Sequence, residues 1–131
     1  MQKRSRSKEL VEFEIAFYEK LLSEDPNFTD ALRALGEAYT RRGWHEKGLA
    51  IDQRLTRLRP EDSTVWYNVA CSLALLNRLD EAFDALAHAM TLGYDDFDYL
   101  LKDPDLSALR RSPKLRQLLE QRLSPKDADT R

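Results

Sequence analysis

The fold-deciding part of the sequence is residues 29–92, where LRALGEAY at positions 32–39 is matched by WYNVACSL at positions 66–73. The match continues beyond these segments at a constant separation of 34 residues. The equivalent pairs are Leu32 and Trp66, Leu35 and Val69, Gly36 and Ala70, Tyr39 and Leu73, Gly43 and Asn77, Gly48 and Ala82, Leu55 and Ala89, and Pro60 and Tyr94. The sequence therefore predicts one helix pair that occurs twice.

The spacing within each copy resembles the tetratricopeptide repeat (TPR). The pattern W-x2-L-G-x2-Y is met by Leu32, Leu35, Gly36 and Tyr39, and again by Trp66, Val69, Ala70 and Leu73. The resemblance implies an all-α fold in which antiparallel helix pairs stack as a short right-handed solenoid. It also implies an N-terminal half-repeat and a C-terminal helical cap, since a solenoid without a cap exposes the apolar face of its last pair.

The chain is divided on this basis into one domain with two tails. We expect a disordered basic tail at 1–7, a single domain at 8–123 and a disordered polar tail at 124–131. The domain comprises a half-repeat helix at 8–23, repeat 1 at 29–60, repeat 2 at 63–92 and a capping segment at 93–123. This last segment resembles the closing segment of many small bacterial TPR proteins at Gly93, Tyr94, Asp103, Pro104, Asp105, Leu106 and Pro113, so we expect a bacterial source.

Composition limits the classes of partner. The 131 residues are 42% hydrophobic and 34% charged, with a formal net charge of −2, which gives no bulk preference for nucleic acid. No window is apolar enough to span a membrane and the N-terminus lacks a signal-peptide core, so we expect a cytoplasmic protein that does not bind membranes. Cys71 is the only cysteine, which excludes an intramolecular disulfide.

The sequence carries no pattern typical of an active site. His45 and His88 are isolated, no paired-cysteine or paired-histidine spacing suggests a metal site, and no glycine-rich phosphate loop occurs. The acidic groups at Glu61-Asp62 and Asp95-Asp96 stand at helix starts, where carboxylates cap helices. We therefore predict a protein that is not an enzyme and needs neither a cofactor nor a metal.

In the TPR family, the first helix of each pair lines a concave groove that binds a peptide or a helix of a partner protein. The groove residues that the resemblance implies here are Arg33, Glu37, Arg41, Tyr67, Asn68 and Cys71. Tyr67 and Arg33 are the predicted anchors, and Asn68 is predicted to hold the peptide backbone. Glu37 and Asp98 replace an asparagine and a lysine of the members that bind a terminal carboxylate, so we expect no such recognition.

Asp52 departs from the repeat, because it stands where an aromatic residue normally packs against the next pair. A buried carboxylate without a partner costs several kcal/mol, on the order of a lost charge-assisted hydrogen bond or more. We expect Asp52 to reach solvent or to accept a hydrogen bond from Tyr67 or a basic neighbour.

The N-terminal half-repeat predicts a second surface. Its apolar residues span an arc of roughly 200°, about twice the width usual for a surface helix. One side can pack on the next helix, and the other side has no evident partner. Two explanations stay open: the C-terminal segment covers this side, or Phe13, Ile15 and Phe17 form a surface for a homodimer or another partner. Self-assembly through this helix is the alternative to a groove-binding scaffold or adaptor.

Overall fold

The computed structural model describes residues 2–123, with side chains from residue 8 onward, and this part of the chain is helical without a strand. The helices are α1 (Gln2–Glu24), α2 (Thr29–Arg42), α3 (His45–Leu58), α4 (Ser63–Leu75), α5 (Leu79–Thr91), α6 (Phe97–Leu100), α7 (Ser107–Arg110) and α8 (Pro113–Arg122), with a 3-10 helix at Pro104–Leu106. The predicted all-α fold class is confirmed.

Neighbouring helices pack pairwise along the chain. Each of α1 to α4 packs on the helix that follows it, and the 3-10 helix and α7 pack against α4. One apolar cluster lies around α1, α2 and α3, and a second joins α4 and α5 to the capping segment. The cap contributes four completely buried leucines, Leu100, Leu106, Leu109 and Leu115. The cap therefore closes the apolar face of the second helix pair.

Two glycines allow α2 and α3 to cross closely. A Cβ atom on Gly36 would lie 3.1 Å from Asp52 Oδ1 and 3.3 Å from Ile51 Cγ2. A Cβ atom on Gly48 would lie 3.2 Å from Thr40 Oγ1. Because Cβ atoms rarely approach other side chains this closely, larger residues here would push the helices apart.

The two repeats end their first helices in the same way. Gly43 after α2 has φ 88° and Asn77 after α4 has φ 60°, and both are left-handed conformations. At the second site, the Asn77 N–H donates to Ala74 O and the Arg78 N–H to Leu73 O. Glycine and asparagine tolerate this backbone better than other residues, which explains why they occupy equivalent positions.

The N-terminus differs from the prediction. Helix α1 begins at Gln2 rather than at Lys8, so residues 2–7, expected to be disordered, belong to a helix. Gln, Lys and Arg are good helix formers and no glycine or proline interrupts the segment, so the helix extends through it. The tail predicted at 124–131 lies outside the described residues. Within residues 2–123, no helix is both long and apolar enough to cross a membrane.

Candidate functional site

A cavity of about 340 Å³ opens between α2, α4 and the capping segment. Its lining residues are Arg33, Gly36, Glu37, Thr40, Arg41, Asp52, Leu55, Tyr67, Asn68, Cys71, Ser72, Tyr99, Asp103 and Asp105. Arg33, Glu37 and Arg41 follow one another on α2 at a spacing of four residues, which places them along one helix face. The structure thus brings all six predicted groove residues, Arg33, Glu37, Arg41, Tyr67, Asn68 and Cys71, to the wall of one cavity.

The two arginines of the cavity already have partners within the chain. The Arg33 guanidinium forms an ion pair with Asp62, which also accepts hydrogen bonds from the first turn of α4. This pairing holds the pKa of Asp62 below its ordinary value, against an opposing contribution from burial. Arg41 donates to Glu14 of α1 at 2.7 Å. A carboxylate ligand would have to compete with Asp62 and Glu14 for these cations.

Tyr67 is not the exposed anchor that the sequence predicts. Its side chain is only 4% exposed, and its ring stacks on Tyr94 with centroids 4.3 Å apart. Its hydroxyl donates a hydrogen bond of 2.6 Å to Asp103 Oδ2. Burial and this carboxylate raise the pKa of Tyr67. The predicted anchor role is therefore wrong, because Tyr67 is a core residue that reaches the cavity only with its edge.

Cys71 belongs to the same hydrogen-bond network. Its Sγ lies 3.7 Å from Asp103 Oδ2, and burial raises its pKa well above the ordinary value, with the Asp103 charge acting in the same direction. Ligand atoms of Cys71, Asp103 and Asp105 lie within 4.8 Å of one another, close enough to hold a metal ion. A protonated thiol is a poor ligand, however, and Asp103 Oδ2 already accepts from Tyr67. The cluster is explained by hydrogen bonding.

Asp52 finds a partner that the sequence did not indicate. The Ser72 hydroxyl donates to Asp52 Oδ2 at 2.7 Å, so neither Tyr67 nor a basic residue fills this role. Burial raises the pKa of Asp52 to about 6, and the nearby Glu37 charge adds to the effect while the Ser72 hydrogen bond opposes it. The position that is aromatic in the repeat is thus a polar contact between α3 and α4.

Replacing Asp52 by asparagine is expected to remove a pH dependence of stability. The folded state binds the Asp52 proton more tightly than the unfolded chain does, so stability falls as pH rises from about 4 to about 6. The difference between the two pKa values corresponds to about 2 to 3 kcal/mol. Urea unfolding at pH 4 and pH 7 should show this loss in the wild type and not in Asp52→Asn. Parallel pH profiles of the two proteins would contradict a raised pKa.

Sequence reasoning missed four cavity residues, namely Ser72, Tyr99, Asp103 and Asp105. Asp103 was interpretable only as a helix cap, and it does cap the 3-10 helix by accepting from the Asp105 N–H at 3.0 Å. Its second role arises because the cap folds back on α4. A buried tyrosine hydroxyl needs a partner, and this rule was the available signal for an acceptor near Tyr67.

The predicted association surface on α1 is only partly exposed. Phe13 is 72% exposed and Phe17 is 52% exposed, and Leu10 extends the same stripe. Ile15, in contrast, is 4% exposed and packs in the core with α2, so its predicted role in self-association is wrong. Phe13 and Ile15 are two residues apart, and this spacing places them on opposite sides of a helix. Described residues of the cap leave the Phe13 stripe open.

The pairwise helix packing and the cavity define a TPR-like helical repeat protein, a class whose members suggest protein interaction. No family model matches the chain. It is 35% identical over 89 residues to a chloroplastic protein of Arabidopsis thaliana, an alignment that covers 66% of this chain and 27% of that protein. It is also 33% identical over 75 residues to the Protein CTR9 homolog of Arabidopsis thaliana, covering 57% and 7% respectively. The chain therefore spans about a quarter of the first relative, and these matches do not support the expected bacterial source.

Proposed function

We propose that the protein is a non-catalytic interaction module that binds a peptide or helix of a partner protein in the cavity between α2 and α4. The observation that carries the proposal is the convergence of polar side chains from two repeats and the cap on one concave surface. Similarity to the CTR9 homologue supports an interaction module of this class. The cytoplasmic location remains a proposal, and the name of the first relative suggests a chloroplast as the alternative.

Asn68 is the residue at which this proposal is best tested, because it lines the cavity and is half-buried. Asn68→Trp fills the cavity entrance, and we expect it to lower the retention of peptides from a phage-displayed random library at least about tenfold. Asn68→Leu keeps the size of the side chain and removes its hydrogen-bonding groups, so it should weaken binding without filling the cavity.

Gln53→Trp is the matched control, since Gln53 is exposed on α3 and does not line the cavity. Thermal unfolding of each variant shows whether the fold is kept. If both Asn68 variants fold and retain peptides as the wild type and Gln53→Trp do, the groove is not the binding surface.

Self-association through α1 is the second candidate function. The Leu10, Phe13 and Phe17 stripe is favoured because it is a broad apolar patch on the described surface. The sequence carries four basic residues at 3–8 and five glutamates at 9–24. An antiparallel pair of α1 helices would place the basic end of each copy beside the acidic end of the other.

Phe17→Glu is expected to weaken such a dimer by at least about a hundredfold, because it buries a charge in an apolar interface. Light scattering over a range of concentrations would give twice the chain mass of 15.3 kDa for the wild type and the single mass for the variant. Leu101→Glu is the control, since Leu101 is similarly exposed on the cap. A wild type that stays at 15.3 kDa at every concentration would exclude this candidate.

A further inference from the structure

The cavity has an excess of negative charge. Four carboxylates line it, from Glu37, Asp52, Asp103 and Asp105, beside the guanidinium groups of Arg33 and Arg41. Both arginines form ion pairs with carboxylates outside the lining, whereas none of the four cavity carboxylates forms an ion pair among the side chains that the structure describes.

Neighbouring groups respond to this negative charge. The Asp103 carboxylate raises the pKa of Tyr99, and burial together with Asp103 raises the pKa of Asp105. His45 is a basic neighbour that acts on Asp105 in the opposite direction. The Glu37 charge adds to the raised pKa of Asp52. Titratable groups from α3 and the cap thus report an environment that favours added positive charge.

An exposed aromatic ring stands beside these carboxylates. Tyr99 is 51% exposed, lines the cavity and lies 6.4 Å from the Tyr67 ring between centroids. The face of a tyrosine ring attracts a lysine or arginine side chain, and the attraction strengthens where water is excluded. Leu55 adds an apolar contact for the methylene stem of such a side chain.

On the basis of the proposed function, we infer that the partner segment inserts a lysine or arginine side chain between Tyr99 and the carboxylates of Glu37 and Asp105. Glu37 is exposed and Asp105 is half-buried, so both are accessible to a ligand. Asp103 is buried and engaged by Tyr67 and Cys71, and it contributes through its field. A cavity of about 340 Å³ is near the lower end of ligand sites, about 300 Å³, and therefore suits one side chain.

The test uses peptides selected from a random heptapeptide phage library on the full chain. Peptides that the wild type retains and Asn68→Trp or Asn68→Leu releases should carry a lysine or arginine at one position. A synthetic copy of such a peptide should bind Glu37→Gln/Asp105→Asn at least about tenfold more weakly, because a charge-assisted hydrogen bond is lost. Glu61→Gln removes an exposed carboxylate outside the cavity and should change the affinity less than about twofold.

The possible outcomes separate this inference from the proposed function. Groove-dependent peptides without a basic residue, or with an affinity that the Glu37 and Asp105 substitutions leave unchanged, would overturn the inference and leave the proposed function standing. The absence of any groove-dependent peptide would overturn both. Binding that EDTA abolishes would mean that the carboxylates hold a divalent cation, and it would also overturn the inference.

Discussion

Tyr67→Ala is expected to lower the free energy of unfolding by about 3 to 5 kcal/mol, the range for removing a buried aromatic side chain. The substitution removes the stacking contact with Tyr94 and a hydrogen bond to a buried carboxylate, and leaves a hole where α4 meets the cap. Stabilities of small domains are about 5 to 15 kcal/mol, so this single change takes a large share. Urea unfolding followed by circular dichroism measures the loss.

Two further substitutions show where the loss originates. Tyr67→Phe keeps the ring and leaves Asp103 Oδ2 without its hydroxyl donor, so we expect a smaller cost of about 1 to 3 kcal/mol. Tyr99→Ala removes a tyrosine of the same cavity that is half exposed, and it should cost less than about 1 kcal/mol. If Tyr67→Ala unfolded at the same urea concentration as the wild type, Tyr67 would be a surface residue after all.

Leu106→Ala is expected to destabilise the protein by about 2 to 5 kcal/mol, because Leu106 is completely buried between the cap and α4. The 3-10 helix that carries Leu106 also holds Asp105 and begins directly after Asp103. Loosening this contact should therefore expose the amides of α4 to solvent. Hydrogen exchange of α4, alongside urea unfolding, measures both effects.

Leu101→Ala is the matched control for the cap, since Leu101 is 51% exposed in the same segment. We expect it to change stability by less than about 0.5 kcal/mol and to leave the exchange of α4 unchanged. Equal effects of the two leucine substitutions would contradict a cap that seals the second helix pair.

The helices and their order were largely predictable from local sequence. The separation of 34 residues, the small residues Gly36 and Gly48, and the turn residues Gly43 and Asn77 are local requirements of a helix pair, so they are written in the chain. The start of α1 was not predicted, because a run of polar helix formers carries no stop signal and resembles a solvated tail.

The positions of the groove residues followed from helical spacing, but their states did not. Arg33 and Tyr67 have the residue types and register of anchors, yet Asp62 engages the first and Asp103 holds the second in the core. Asp103 is 36 residues away from Tyr67 in the chain. No local pattern reports a contact between such distant positions.

By itself, then, the sequence determined the all-α class, the repeated helix pair and the faces on which Glu37, Asn68 and Phe17 lie. These depend on periodicity and backbone preference, which act over a few residues. Only the tertiary structure decided that Ile15 is buried while Phe13 is exposed, that Ser72 is the partner of Asp52, and that the cap supplies Tyr99 and Asp105 to the cavity. Those outcomes depend on how the cap and neighbouring helices dock, and docking is set by packing between distant segments.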